Sequence, residues 1–158
     1  MTNLNKTLEE GLKQIDPNIK IVDVGVYKKS DYEGQIQLLA NRIKEILHEL
    51  HSQHYDVEIA LSDLEFLLEG QKHNPHHKEY IADAINTKIS KNGGNLLDEA
   101  IGLETHIDIL MWLLENGADR LQKNEHNFNS LEILSTWNYL EPEDLNDFFN
   151  FNNSETNE

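Results

Sequence analysis

Apolar residues recur every three or four positions through most of the chain, and this is the spacing of one face of an α-helix. The pair Ser30 and Glu33 is typical of a capping box at a helix start. Gly70 is typical of a helix end, and Pro75 of the first turn of the next helix. Together these patterns predict amphipathic helices over 4–15, 30–52, 59–68 and 80–89.

One segment departs from helical spacing. The sequence IKIVDVGVY (19–27) alternates apolar and polar residues and is rich in β-branched types. This pattern predicts a strand, or an extended arm packed along the body of the protein. Residues 55–59 are the one segment of the sequence that offers a matching strand, so we expect any pairing to involve them.

Two later stretches resemble each other. Residues 93–119 and 127–135 each open with a turn residue and continue into a short segment with leucine on its apolar side. The first stretch goes on to a second helix, HIDILMWLLENGAD, at whose end Gly117 is suited to the left-handed conformation of a helix cap. Such self-similarity indicates a repeat protein, in which neighbouring units bury one another's apolar faces.

The residues of these stretches resemble the ankyrin repeat, whose pattern runs G-x-T-P-L-H-x-A and later L-L-x-x-G-A-D. The matching positions are Gly93, Leu97, Ala100, Ile109, Leu113, Leu114, Gly117, Ala118 and Asp119, followed by Asn127 and Leu131 in the next copy. The resemblance is specific over about 90–136 and weaker from 56. The T-P-L-H box has neither its proline nor its histidine in either copy. The alternative is an irregular helical bundle, in which LLENGAD is an ordinary glycine-capped helix end.

The predicted fold is therefore mainly α-helical and forms a single domain over 1–151. Residues 1–55 are expected to be an N-terminal capping segment, with the possible extended or β segment at 19–27 inside it. Residues 56–150 are expected to form a stack of ankyrin-like repeats. The tail over 152–158 is too polar to pack and is expected to be disordered.

Composition narrows the function classes. The chain has 29 acidic and 13 basic residues, a formal net charge of −16, and no cysteine. This charge argues against direct nucleic-acid binding, which needs basic residues to displace counterions. It favours a basic protein partner, or serves only solubility. There is neither an apolar run long enough to span a membrane nor a signal-like N-terminus, so we expect a cytoplasmic protein.

Histidines offer the strongest alternative from another class. Two groups, His48/His51/His54 and His73/His76/His77, suggest a metal-dependent hydrolase. The spacing of the first group suits a metal poorly, because residues that step by three drift around a helix, and no HExxH motif is present; the second group lies in a polar loop. Exposed histidines without a metal are the simpler interpretation. We therefore expect neither a cofactor nor a catalytic site.

The ankyrin resemblance implies that partner-binding positions lie on the turns and after the first helix of each repeat. In this chain they are Lys91, Asn92, Lys123, Glu125, His126, Phe128, Thr136 and Trp137. The two aromatic residues are suited to anchor a partner, or alternatively to close the end of the stack beneath a last helix over 142–149. The expected function is non-enzymatic protein binding, for example as an inhibitor, antitoxin or immunity protein. A scaffold segment whose charge only keeps it soluble is a further alternative.

Overall fold

The computed structural model describes residues 19–22, 25–53 and 56–151. The predicted helix over 4–15, the tail over 152–158 and His54 lie outside the described residues. The described part is mainly α-helical, as the sequence predicts. Its helices are α1 (Lys29–Gln53), α2 (Val57–Glu69), α3 (His77–Ile85), α4 (Leu96–Gly102), α5 (Ile107–Glu115), α6 (Ser130–Thr136) and α7 (Pro142–Asn150).

Two short strands precede the helices. Strand β1 (Ile19–Val22) pairs antiparallel with β2 (Gly25–Lys28), so that Ile19 lies opposite Lys28. The expectation that residues 55–59 supply the partner strand is wrong. Val57 begins α2, where the Asp56 side chain accepts a hydrogen bond from the Glu58 backbone N–H at 2.8 Å.

The observed helix boundaries differ from the predicted ones, mostly by one to three residues. Helix α1 begins at Lys29, so Ser30 lies inside the helix and is not its N-cap. Pro75 precedes the N-cap residue of α3 and so lies outside its first turn. Helix α3 ends at Ile85, four residues before the predicted end. The next residue, Asn86, is the C-cap: its backbone N–H still bonds to Ala82 O, and its side-chain amide donates to Gly117 O at 2.9 Å.

Helix α5 lies at the centre of the core, packed against α2, α4 and α7. Its predicted inward face is confirmed, since Ile109 and Leu113 are fully buried. Trp112 is buried as well, and its indole N–H donates a hydrogen bond to Glu65 Oε1 at 2.7 Å. That bond satisfies the one polar atom that a buried tryptophan brings into a core.

The turn before α4 and the turn before α6 have the same hydrogen-bond pattern, 34 residues apart (90 to 124). Ser90 N–H donates to Gly94 O at 2.9 Å, and Asn124 N–H donates to Phe128 O at 2.9 Å. Gly93 and its counterpart Asn127 both have a left-handed backbone, with φ of 73° and 67°. Asparagine tolerates this conformation better than most residues with a side chain.

The helix caps repeat with the same offset. Asn95 caps α4 by accepting a hydrogen bond from the Asp98 backbone N–H, and Asn129 caps α6 by accepting one from Glu132. The two turns are also joined directly, because Glu125 N–H donates to Asn92 O at 2.9 Å. Neighbouring turn-and-helix units therefore form one continuous edge.

Arg120 secures the last helix to this body. Its guanidinium donates hydrogen bonds to the backbone carbonyls of Phe148 at 2.8 Å, Phe149 at 3.0 Å and Phe151 at 2.5 Å. These are carbonyls at the end of α7, which have no partner within the helix. A cation at this position also complements the negative end of the helix dipole.

Candidate protein-interaction groove

All eight positions predicted to contact a partner are exposed. Four of them, Lys91, Asn92, His126 and Phe128, line one groove of about 480 Å³ between the two turns and the ends of α4 and α6. Leu103, which follows α4, also lines it. We call this the turn groove. It combines a polar rim with apolar side chains, as protein-binding surfaces do.

The other four predicted positions are exposed without lining the turn groove. Glu125 lies beside Gly93, where its side chain occupies the space that a Cβ on the glycine would need. The Thr136 hydroxyl donates a hydrogen bond to Glu132 O at 3.1 Å, one turn earlier in the same helix. Lys123 and Trp137 are exposed nearby.

Phe128 and Trp137 are far from buried. Phe128 is 50% exposed and Trp137 is 59% exposed. The alternative in which they close the stack beneath the last helix is therefore wrong for both. Phe148 of α7, by contrast, is fully buried.

Asp98 is the unusual residue of the turn groove. It is only 8% exposed, and neither carboxylate oxygen has a hydrogen-bond partner among the described residues. Its counterpart Glu132 accepts a hydrogen bond from the Asn129 backbone N–H at 3.1 Å and so completes a capping box. Aspartate is one methylene shorter, and its carboxylate makes no such bond with Asn95. A buried carboxylate without a partner is costly.

Two neighbouring residues, Gly94 and Asn95, determine the environment of the Asp98 carboxylate. Gly94 lies against the carboxylate so closely that a Cβ there would collide with Asp98 Oδ2. Burial raises the pKa of Asp98 from 3.8 to about 6, and the nearby Asn95 backbone N–H opposes this rise without making a hydrogen bond of normal geometry. Asp98 is therefore mostly ionised at neutral pH although water barely reaches it. The sequence marks Asp98 only as a departure from the ankyrin histidine, so its burial was not predicted.

The histidines do not form a metal centre in the part of the chain that the structure describes. His48 Nε2 contacts the carboxylate of Glu99, which links α1 to the edge of the turn groove. His77 Nδ1 lies 3.0 Å from Asn74 O within its own loop. No cluster of three or more potential ligands occurs among the described residues.

A second groove lies between α1 and α2, with a volume of about 740 Å³. Leu38 and Phe66 line it and are 56% and 83% exposed. Phe66 therefore does not belong to the buried face of α2. The buried residues of this helix are Ala60, Leu64 and Leu68, whose spacing of four places Phe66 on another side.

None of the described helices is long and apolar enough to cross a membrane. No protein-family model matches this chain, and the searches of curated proteins and of solved structures found no match either.

Proposed function

We propose that this protein is a non-enzymatic interaction module that binds a basic protein through the turn groove and the exposed residues beside it. An inhibitor or immunity-type protein acting on a cationic partner is the concrete form of the proposal. The observation that carries it is the buried, unpartnered carboxylate of Asp98 in a groove rimmed by the half-exposed Phe128. A partner that supplied a cation and an apolar contact would satisfy both residues.

The chain's charge supports a basic partner. With a formal net charge of −16, the protein attracts cationic surfaces and repels acidic ones. Such attraction acts mainly on the rate of association and on the choice of partner, while buried contacts determine the lifetime of the complex. A cytoplasmic location belongs to the same proposal, supported by the absence of cysteine from the sequence.

The proposal includes an ankyrin-like origin for the two turn-and-helix units. It is supported by the 34-residue offset (90 to 124) of their turns and caps, and by left-handed residues at the glycine positions of the ankyrin pattern, Gly93, Asn127 and Gly117. Exposed turns at one edge of a repeat stack provide a continuous binding surface. The segment over 1–55, which contains helix α1, acts in this proposal as the N-terminal cap.

Affinity capture with matched variants tests the function. Tagged wild-type protein is incubated with lysate of the cells that produce it, washed at moderate salt, and the bound proteins are identified and cross-linked. Phe128→Ala is expected to weaken capture of the partner at least about tenfold, because large aromatic anchors dominate binding energy. Phe66→Ala is the matched control, since it removes an equally large exposed ring from the second groove. Equal losses for both variants, or a partner cross-linked elsewhere, would contradict the proposal.

A further inference from the structure

We propose that the turn groove contains a subsite for a single arginine side chain, whose guanidinium pairs with the carboxylate of Asp98. The inference rests on the proposed function and names the chemistry by which the groove recognises its partner. Asp98 lines the groove together with the apolar side chains of Phe128 and Leu103.

Within the part of the chain that the structure describes, the carboxylate of Asp98 lacks the hydrogen-bond donors that a buried carboxylate needs. Asp98 is more than nine-tenths buried, and both of its oxygens lack a donor among the described residues. Buried polar groups in native proteins almost always have partners, so an orphaned carboxylate in a groove indicates a missing donor. Lys91, at the rim, is exposed and bonds to neither oxygen of Asp98.

The donor that best fits Asp98 is a guanidinium group. Two free carboxylate oxygens match the planar fork of a guanidinium, which donates two parallel N–H bonds. The aliphatic stem of arginine can pack on Leu103, and its cation is attracted to the face of an aromatic ring such as Phe128. A groove of about 480 Å³ has room for such a side chain.

The charges around Asp98 favour a cation overall. Glu99 from α4 and Glu125 from the second turn add negative charge, and His48 from α1 contacts Glu99. Lys91 and His126 are the basic groups at the rim, and both are exposed to solvent, which screens them. Solvent screens the charge of Asp98 far less, because its carboxylate is buried.

Access to Asp98 requires one local movement. Both carboxylate oxygens are closed off from solvent, and Gly94 lies directly against Oδ2. The cover on this side is a glycine turn without side chains, in which Gly93 has a left-handed backbone. We therefore expect the Gly93–Gly94 turn to shift when arginine enters, in the way that binding loops reorder around a ligand.

The test uses two short peptides as probes. The ¹⁵N-labelled full-length protein is titrated at pH 7.5 with acetyl-Ala-Arg-Ala-amide, and separately with the same peptide carrying citrulline, the neutral isostere of arginine. The arginine peptide is expected to shift the amide signals of Gly93, Gly94 and Leu103, whereas the citrulline peptide leaves them in place. Asp98→Asn is expected to weaken arginine binding at least about tenfold, because it removes a charge-assisted hydrogen bond.

Asp108→Asn is the matched control. Asp108 is an exposed residue in the first turn of α5, so its substitution removes the same charge without touching the groove. Equal binding of the two peptides, unchanged binding by Asp98→Asn, or equal weakening by both substitutions would overturn the subsite.

The same variants separate the two proposals. If a natural partner requires Phe128 but is bound equally well by Asp98→Asn, the proposed function stands and the arginine subsite fails. If the arginine peptide depends on Asp98 while the captured partner is indifferent to Phe128, the subsite stands and the proposed function fails.

Discussion

Replacement of Asp98 by asparagine is expected to stabilise the unbound protein at neutral pH. The carboxylate is buried and has no hydrogen-bond partner among the described residues. Asparagine has almost the same size and no charge, so the substitution removes the penalty for burying an ion. The cap of α4 is retained, because it uses the backbone N–H of residue 98, which donates to Asn95 Oδ1 at 3.1 Å.

The magnitude follows from the pKa of Asp98, which burial raises from 3.8 to about 6. Since each tenfold change in an equilibrium constant is worth about 1.36 kcal/mol, the ionised carboxylate lowers the free energy of unfolding by about 3 kcal/mol at pH 7. The folded chain binds the proton more tightly than the unfolded chain. The contribution of Asp98 to stability is therefore fully present below pH 3.8 and is lost as the pH rises through about 6.

Urea unfolding followed by circular dichroism measures this effect. The Asp98→Asn variant is expected to exceed the wild type in free energy of unfolding by about 3 kcal/mol at pH 7 and by about 1 kcal/mol at pH 4.5. For Asp108→Asn, an exposed carboxylate, no such rise with pH is expected. A difference that is the same at both pH values, or a variant less stable than the wild type at pH 7, would refute the reasoning.

Three further substitutions test the fold by the same unfolding assay. Arg120→Ala is expected to lower the free energy of unfolding by about 2 kcal/mol, since it leaves carbonyls of α7 without their charged donor. Lys123→Ala removes a nearby exposed charge and should change the free energy of unfolding little. A larger loss for Lys123→Ala than for Arg120→Ala would contradict the role of Arg120. Asn127→Gly is expected to raise the free energy of unfolding by about 0.5 kcal/mol, because φ of 67° favours glycine; a loss would show that the backbone is unstrained there. Gly117→Ala is expected to lower the free energy of unfolding by about 1–3 kcal/mol, because φ is 105° and the new Cβ would collide with Ala82. Gly102→Ala is the control, because a Cβ at this position in α4 meets open space. Equal effects at both glycines would contradict the explanation.

The sequence predicts the helices well where apolar spacing is long and regular. It identifies α5, whose apolar residues are buried, and Gly117, whose backbone is left-handed. It fails where a tertiary contact decides the outcome. Helix α3 ends at Ile85, where the C-cap Asn86 uses its side chain to bond Gly117 O, and Phe66 faces solvent although the residues that follow it in the sequence are apolar.

The candidate site was predictable only in part. Turn positions such as Lys91 and Phe128 follow from the repeat pattern, and both line the turn groove. Asp98 does not follow, because its burial depends on Gly94 lying against it in three dimensions. An aspartate near a helix start is normally exposed, and its charge interacts favourably with the helix dipole. Only the packing of the adjacent turn reveals that this one is costly.

The hydrogen bond from Glu125 N–H to Asn92 O has a consequence for how the edge of the molecule moves. Asn92 directly precedes the Gly93–Gly94 turn, so any displacement of that turn strains a bond held by the following unit. The two turns are therefore expected to open together, as one local unfolding event, and to share one rate of amide hydrogen exchange. A ligand bound at Asp98 would then slow amide hydrogen exchange at Glu125, so that binding in one turn-and-helix unit stabilises the backbone of the next.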